Sequence, residues 1–208
     1  MASFAPNLRL LPLFLACLPW LVTAEDDAQP LPISLDAESS SFDRQTDSVT
    51  FRGLTITQGD LGIEADEALA SGLDFELSEW RFSGNVRITI GSATIEADTA
   101  EVRFEGHELL LAELRGNPAV FEDFNVSRGE PVRGGANRLY YDNVARTLLM
   151  SGGAWFNEGP NEIKGCALTY DFEQETVTFG SSDCGERVQI TIVPPTEEAE
   201  GTDAPLSR

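Results

Sequence analysis

Val49-Thr50-Phe51-Arg52-Gly53 opens a pattern that runs through Ile56 and Gly59 to Ile63-Glu64-Ala65-Asp66. It returns as Trp80-Arg81-Phe82-Ser83-Gly84, Ile88, Gly91 and Ile95-Glu96-Ala97-Asp98, with 31 residues between Gly53 and Gly84. A third copy starts at Leu114-Arg115-Gly116, 32 residues on, and a fourth at Met150-Ser151-Gly152 after another 36. Regular spacing of roughly 20 to 50 residues marks stacked supersecondary units. Within each copy the apolar period is two. Val86, Ile88 and Ile90 share one face while Arg87 and Thr89 share the other; Ile95 and Ala97 point in while Glu96 and Asp98 point out. Such alternation predicts half-buried antiparallel strands. Gln58-Gly59-Asp60, Gly91-Ser92 and Glu158-Gly159-Pro160 are turn signals between the runs. Each unit therefore reads as a hairpin, with roughly a dozen strands from residue 33 to 193. No segment carries a helical stripe. Leu109 to Leu114 comes nearest, but it sits where the repeat demands a strand.

Composition narrows the function classes. The 208 residues hold 35 Asp and Glu against 14 Lys and Arg, for a net charge of −21, and 41% are apolar. That apolar content supports a folded core. The acidity makes the chain a poor partner for nucleic acid or an anionic membrane surface, because both are recognised by clustered Lys and Arg. A single histidine, His107, excludes any site needing two. Neither G-x-x-x-x-G-K-[ST] nor G-x-G-x-x-G occurs.

The amino terminus reads as an address. Residues 10–22 form an apolar run of 13, too short for the roughly 20 residues that span a bilayer. Val22-Thr23-Ala24 places small residues before Glu25-Asp26-Asp27. Residues 1–24 are thus expected to be a cleaved secretory signal peptide, followed by one β domain over 25–195 and a disordered acidic tail over 196–208. The proline-bearing stretch that leads into this tail starts at Pro194. After cleavage Cys166 and Cys184 remain. In an oxidising compartment an even pair suggests a disulfide, which would stabilise by roughly 3 kcal/mol; two buried free thiols are the alternative.

Stacked hairpins leave two open ends and a continuous interior stripe. Its wide residues are Phe42, Phe51, Phe82, Phe121, Tyr141, Phe156, Tyr170, Phe172 and Phe179. On pattern alone the stripe is either a plain sandwich core or an apolar groove for a lipid.

The segment Gly116-Asn117-Pro118-Ala119-Val120-Phe121, then Pro131-Val132 with Gly134, Leu139-Tyr140-Tyr141, Leu149 to Ala154, Ile163-Lys164-Gly165 and Arg187-Val188 resembles the LptA/OstA family of periplasmic lipopolysaccharide-transport proteins. Pro32-Ile33-Ser34-Leu35 and Phe51-x-Gly53 leading to Ile63-x-Ala65-Asp66 fit the same pattern, so the likeness spans about residues 30–195. The resemblance implies an incomplete, twisted antiparallel β-jellyroll that bridges two membranes and covers lipid A acyl chains. Its amino-terminal edge would meet an inner-membrane LptC-type partner and its carboxy-terminal edge an LptD-type outer-membrane translocon, with head-to-tail self-association between copies. Lipopolysaccharide is the implied ligand; no cofactor is expected. Carried over residue by residue, Ile33, Leu35, Phe121 and Tyr141 would face the lipid. Parity within the repeats adds Phe51, Ile63, Ile88, Ile95 and Phe156.

The chain departs from the family in carrying two successive Ile-Glu-Ala-Asp units, in its Cys166/Cys184 pair, in Gly153 where Asn is common, and in its acidity. Lipid A phosphates are anionic, so no phosphate-binding residue is assigned. Enzymatic readings fare poorly. His107 lies in a turn, Glu105 to Glu108, and the Glu and Asp of the repeats fall on an outward face, so neither suggests catalysis or metal binding. A membrane-anchored LptC-type subunit and a carbohydrate-binding or adhesin β-repeat module are the rival readings.

Overall fold

The computed structural model describes residues 31–73, 75–125, 129–180 and 187–194. The expected signal peptide, the tail over 196–208 and Cys184 lie outside the described residues. Eleven strands follow one another without a helix among the described residues: β1 (Ser34–Asp43), β2 (Ser48–Gln58), β3 (Leu61–Ser71), β4 (Leu77–Ile90), β5 (Ala93–Glu105), β6 (Glu108–Asn125), β7 (Glu130–Asp142), β8 (Thr147–Glu158), β9 (Asn161–Asp171), β10 (Thr176–Phe179) and β11 (Gln189–Thr191). They form one antiparallel sheet in the order β1 to β10, and β11 also pairs with β9. This is the expected incomplete jellyroll of stacked hairpins. Gln58-Gly59-Asp60, Gly91-Ser92 and Glu158-Gly159-Pro160 each fall at a connection between strands, and Leu109 to Leu114 is strand, inside β6.

Gly59 and Gly91 of the repeat lie in turns, but Gly53, Gly84, Gly116 and Gly152 do not. They sit mid-strand, at a line of register shifts that crosses the sheet. Shifts occur at Glu64/Glu67, Ser83/Val86, Glu96/Thr99, Arg115/Ala119, Gly135/Arg138 and Ser151/Ala154. Gly53 (φ +54°), Gly84 (φ +77°) and Gly152 (φ +81°) adopt the left-handed conformation there, which costs glycine little. An acidic side chain from the preceding strand lies over two of them. A Cβ on Gly53 would stand 2.7 Å from Glu38 Cγ, and one on Gly84 would stand 2.5 Å from Asp66 Oδ2. Inward parity changes at this line: Ile63 and Ala65 point in before it on β3, Ala68 and Ala70 after it.

Bending at the bulge line folds the sheet into two half-sheets that enclose one apolar interior. Two aromatic clusters stand in series inside it. Trp80 stacks with Phe51, Phe75 and Phe82, at centroid distances of 5.7, 5.2 and 5.9 Å. Farther along, Tyr170 meets Phe121 at 5.1 Å, Phe156 at 5.8 Å and Phe172 at 5.1 Å. Each such side chain, fully removed from water, stabilises the fold by about 1.5–3 kcal/mol. On the outer face Arg52–Glu67, Arg81–Glu101, Arg87–Glu96 and Arg133–Glu122 form cross-strand ion pairs. These are solvent-exposed and contribute roughly 0–1 kcal/mol each.

Candidate functional site

The inner row runs unbroken from the first strand to the last. Leu35 pairs with Ile56, Ile56 with Ile63, Ile63 with Ile88, Ile88 with Ile95 and Ile95 with Phe121. Phe121 then faces Gly134, and Gly134 faces Phe156. Directly paired residues share a face, so one apolar line crosses from the β1 edge toward β9. Six of the nine residues expected to meet lipid, Leu35, Ile63, Ile88, Ile95, Phe121 and Phe156, stand on it. Phe51 and Tyr141 lie in the other half-sheet, on the same inner face. Ile33 precedes β1 and packs against the same core.

Burial separates these positions. Phe51, Ile63, Ile88, Ile95, Phe121, Tyr141 and Phe156 are buried, none more than 7% exposed. Leu35 is 36% exposed and Ile33 half-buried, because β1 has a neighbour on one side only. Phe42, read from sequence as interior, is 56% exposed for the same reason, although its partner Val49 is buried. At the other end a cavity of about 240 Å³ opens among Val132, Phe156, Ile163, Tyr170, Val177 and Phe179. Beyond it Ile190 is 56% exposed. The interior is thus filled by side chains at its middle and open at both sheet edges.

Polar groups cluster at the margins. Tyr141 Oη donates to Asn143 Oδ1 at 2.8 Å and receives a hydrogen bond from Arg146 Nη1 at 2.9 Å. Burial pushes the Tyr141 hydroxyl above its ordinary pKa, and Arg146 opposes this. Burial raises Tyr170 further, aided by the Asp123 carboxylate, to whose Oδ2 its hydroxyl donates at 3.5 Å. His107 sits in the β5–β6 turn with Nδ1 3.2 Å from Glu76 Oε2, and Asp66 of the first Ile-Glu-Ala-Asp unit accepts from Asn85 Nδ2 at 2.8 Å. These are partners of surface side chains and give no pairing of nucleophile and base. Cys166 is half-buried on β9.

A second cavity, of about 310 Å³, lies where the two half-sheets meet, and Arg146 is among the side chains around it. No sequence pattern flags it, since its walls come from the lead-in to β1 and four separate turn regions.

Residues 67–176 match the family model described as LptA/(LptD N-terminal domain) LPS transport protein. The lipopolysaccharide export system protein LptA of Escherichia coli strain K12 is 32% identical over 141 residues, covering 66% of this chain and 73% of that protein. The protein of the same name from Haemophilus influenzae is 28% identical over 133 residues, covering 62% and 76%. The crystal structure of LptH, the LptA-homologous periplasmic component of the lipopolysaccharide transport device of Pseudomonas aeruginosa, aligns at a TM-score of 0.49 with 16% identity, over 79% of this chain and 96% of that one. The chain belongs to the LptA/(LptD N-terminal domain) family of lipopolysaccharide-transport proteins.

Proposed function

We propose that this protein is a periplasmic bridge that covers the acyl chains of lipopolysaccharide between the inner and outer membranes. The observation that carries the reading is the apolar inner row, which continues through the whole sheet and emerges at both edges as Leu35 and Ile190. An acyl methylene left in water costs roughly 0.8 kcal/mol, so a chain of about a dozen carbons costs roughly 10 kcal/mol. A carrier must cover that length without gripping it. Chains that enter this interior exchange one apolar contact for another as they displace Phe121 or Phe156. The exchange is nearly neutral and has little directional demand, so cargo slides.

On this reading Ile33, Leu35, Phe51, Ile63, Ile88, Ile95, Phe121, Tyr141 and Phe156 line the path. The LptC-type partner adds a strand to β1, and the LptD-type translocon meets the edge made by β9, β10 and β11. Copies join head to tail through the same edges, by pairing unsatisfied backbone groups. Cleavage after Ala24 releases the chain into the periplasm, where Cys166 pairs with Cys184. The role is non-enzymatic and needs no cofactor.

Placing a photo-crosslinking residue at Phe121 tests the reading. Lipopolysaccharide is captured there and not at solvent-facing Glu96. Silence at Phe121 with capture at Glu96 would reverse the assignment of inner and outer faces.

A further inference from the structure

Eight described Lys and Arg side chains stand beside carboxylates on the outer face. Three described cations, Arg44, Arg146 and Arg187, do not. Arg44 and Arg187 are exposed, whereas Arg146 is half-buried and faces the 310 Å³ cavity at the seam between the half-sheets. Its guanidinium is held by neutral acceptors, Nη1 donating to Tyr141 Oη at 2.9 Å and to Asn143 Oδ1 at 3.1 Å. The charge is therefore fixed in place with no carboxylate at ion-pair distance among the described residues. In a chain of net charge −21 this is an unusual use of a cation.

The rest of the cavity has two parts. Leu109 of the packed core, with Leu61 and Ile90 packed against that core, forms an apolar floor, so the cavity abuts the interior that the transport reading assigns to acyl chains. Asp60 and Glu108 stand at its polar wall. Such walls suit a ligand that is amphiphilic, carries an anion for the guanidinium, and carries hydroxyl or amide donors for the carboxylates. A bare phosphate meets two carboxylates for one guanidinium and is disfavoured; a phosphorylated sugar satisfies both signs. The volume lies at the small end of ligand pockets, which fits a head-group fragment and not a whole lipid.

We propose that the seam cavity is a head-group site, in which Arg146 takes a phosphate of the cargo lipid while Asp60 and Glu108 accept hydrogen bonds from its sugar. The site rests on the transport reading above and adds to it the place where the head group sits as the chains run inside. It supplies the phosphate contact that composition alone gave no reason to expect.

The test uses the full mature chain with purified lipopolysaccharide, the same lipid after phosphatase treatment, and inorganic phosphate, each displacing a fluorescent acyl probe. The phosphorylated lipid binds about tenfold tighter than the dephosphorylated one, as a charge-assisted hydrogen bond would give. Arg146→Gln binds both alike, and Arg146→Lys retains most of the preference. Arg146→Gln that keeps the full preference, or a native chain that shows none, overturns the head-group site and leaves the transport reading standing. A native chain that binds neither lipid overturns both. Inorganic phosphate at millimolar concentration displaces nothing; Arg146-dependent displacement by it would mark a free-anion site and overturn the lipid assignment. If Arg146→Gln does not fold, a photo-crosslinker at exposed Glu108 decides. It captures sugar-labelled lipopolysaccharide, and capture through acyl chains alone overturns the proposal.

Discussion

Gln58 Nε2 donates to the carbonyl oxygen of His107 at 2.7 Å, across 49 residues of sequence. Gln58 ends β2 at one margin of the sheet, and His107 sits in the turn after β5 at the opposite margin. Strands of 11 and 13 residues rise about 3.3 Å per residue. The two margins of a flat sheet would thus lie roughly 40 Å apart. Their contact is possible only because the bulge line folds the sheet on itself. The same amide group also donates to Leu31 O at 3.1 Å, so one side chain ties the lead-in to β1, the β2–β3 turn and the β5–β6 turn. This strap closes one side of the interior beside the seam cavity.

Gln58→Ala removes both hydrogen bonds and leaves two carbonyls near solvent, where water replaces them in part. The expected loss is about 1–2 kcal/mol. Urea denaturation shows it as a lower midpoint at unchanged slope. The same variant takes up an acyl probe faster, because the seam opens more often. An unchanged uptake rate would mean that cargo does not enter on this side.

Gly84→Ala strains the bulge twice, through φ of +77° and through a Cβ 2.5 Å from Asp66 Oδ2. About 1–3 kcal/mol is expected. Adding Asp66→Ala relieves the contact but not the φ, so the double variant recovers part of the loss. Gly91→Ala is the control: φ is +60° but nothing lies within 4 Å of its Cβ position. It loses less than Gly84→Ala when thermal midpoints are compared.

Much of this fold is legible in the sequence, for a physical reason. Period-two alternation at Val86 to Ile90 and at Ile95 to Ala97 states which face is wet, and turn residues at Gly59, Gly91 and Gly159 state where the strands beside them stop. The spacing of Gly53, Gly84, Gly116 and Gly152 was also visible, but not its meaning. A glycine in a strand pattern reads equally as a turn, and only the register shows that these residues bend the sheet. The inward set was legible because each residue's own neighbours in sequence define it. What stayed hidden depends on pairs far apart in sequence. Gln58 with His107 and Arg146 with the seam have no local pattern. The exposure of Phe42 and Leu35 follows from β1 being an edge, and edge position is a property of the whole sheet.

Phe121→Ala removes a ring that meets Tyr170 and Phe172 at 5.1 and 5.6 Å and is fully buried. Cavity formation at such a site costs about 3–5 kcal/mol. Phe121→Leu conserves more volume and costs roughly 1.5 kcal/mol or less. Calorimetric midpoints order the three proteins as native, Leu and Ala. A loss below about 1 kcal/mol for the Ala variant would show that the ring is not part of a packed interior.

Tyr170 gives a pH dependence of defined sign. Its ordinary value is 10.0, and burial with the Asp123 carboxylate raises it in the folded state. The unfolded chain releases this proton first, so the unfolded state binds fewer protons above about pH 10. Stability is fully present below that pH and falls as the pH climbs toward the folded value. Denaturant midpoints measured from pH 8 to 11 decline, and Tyr170→Phe flattens the decline. Tyr141, raised in the same direction, leaves a residual slope. An equal slope in Tyr170→Phe would place the loss elsewhere.

The β1 edge separates folding from assembly. Leu35 is 36% exposed and has a paired strand on one side only, so Leu35→Asp removes little buried surface and costs the fold about 1 kcal/mol or less. A charge on an edge strand nevertheless opposes any strand that would lie beside it, because its apolar inner row would be desolvated against a carboxylate. Light scattering of the purified protein across concentration therefore shows shorter end-to-end assemblies for Leu35→Asp than for the native chain, at nearly the same thermal midpoint. Ile190→Asp, on the opposite edge and 56% exposed, produces the same shortening. Mixing the two variants restores single pairs, since each keeps one native edge. Assemblies of native length from either variant alone would show that copies do not join through these edges.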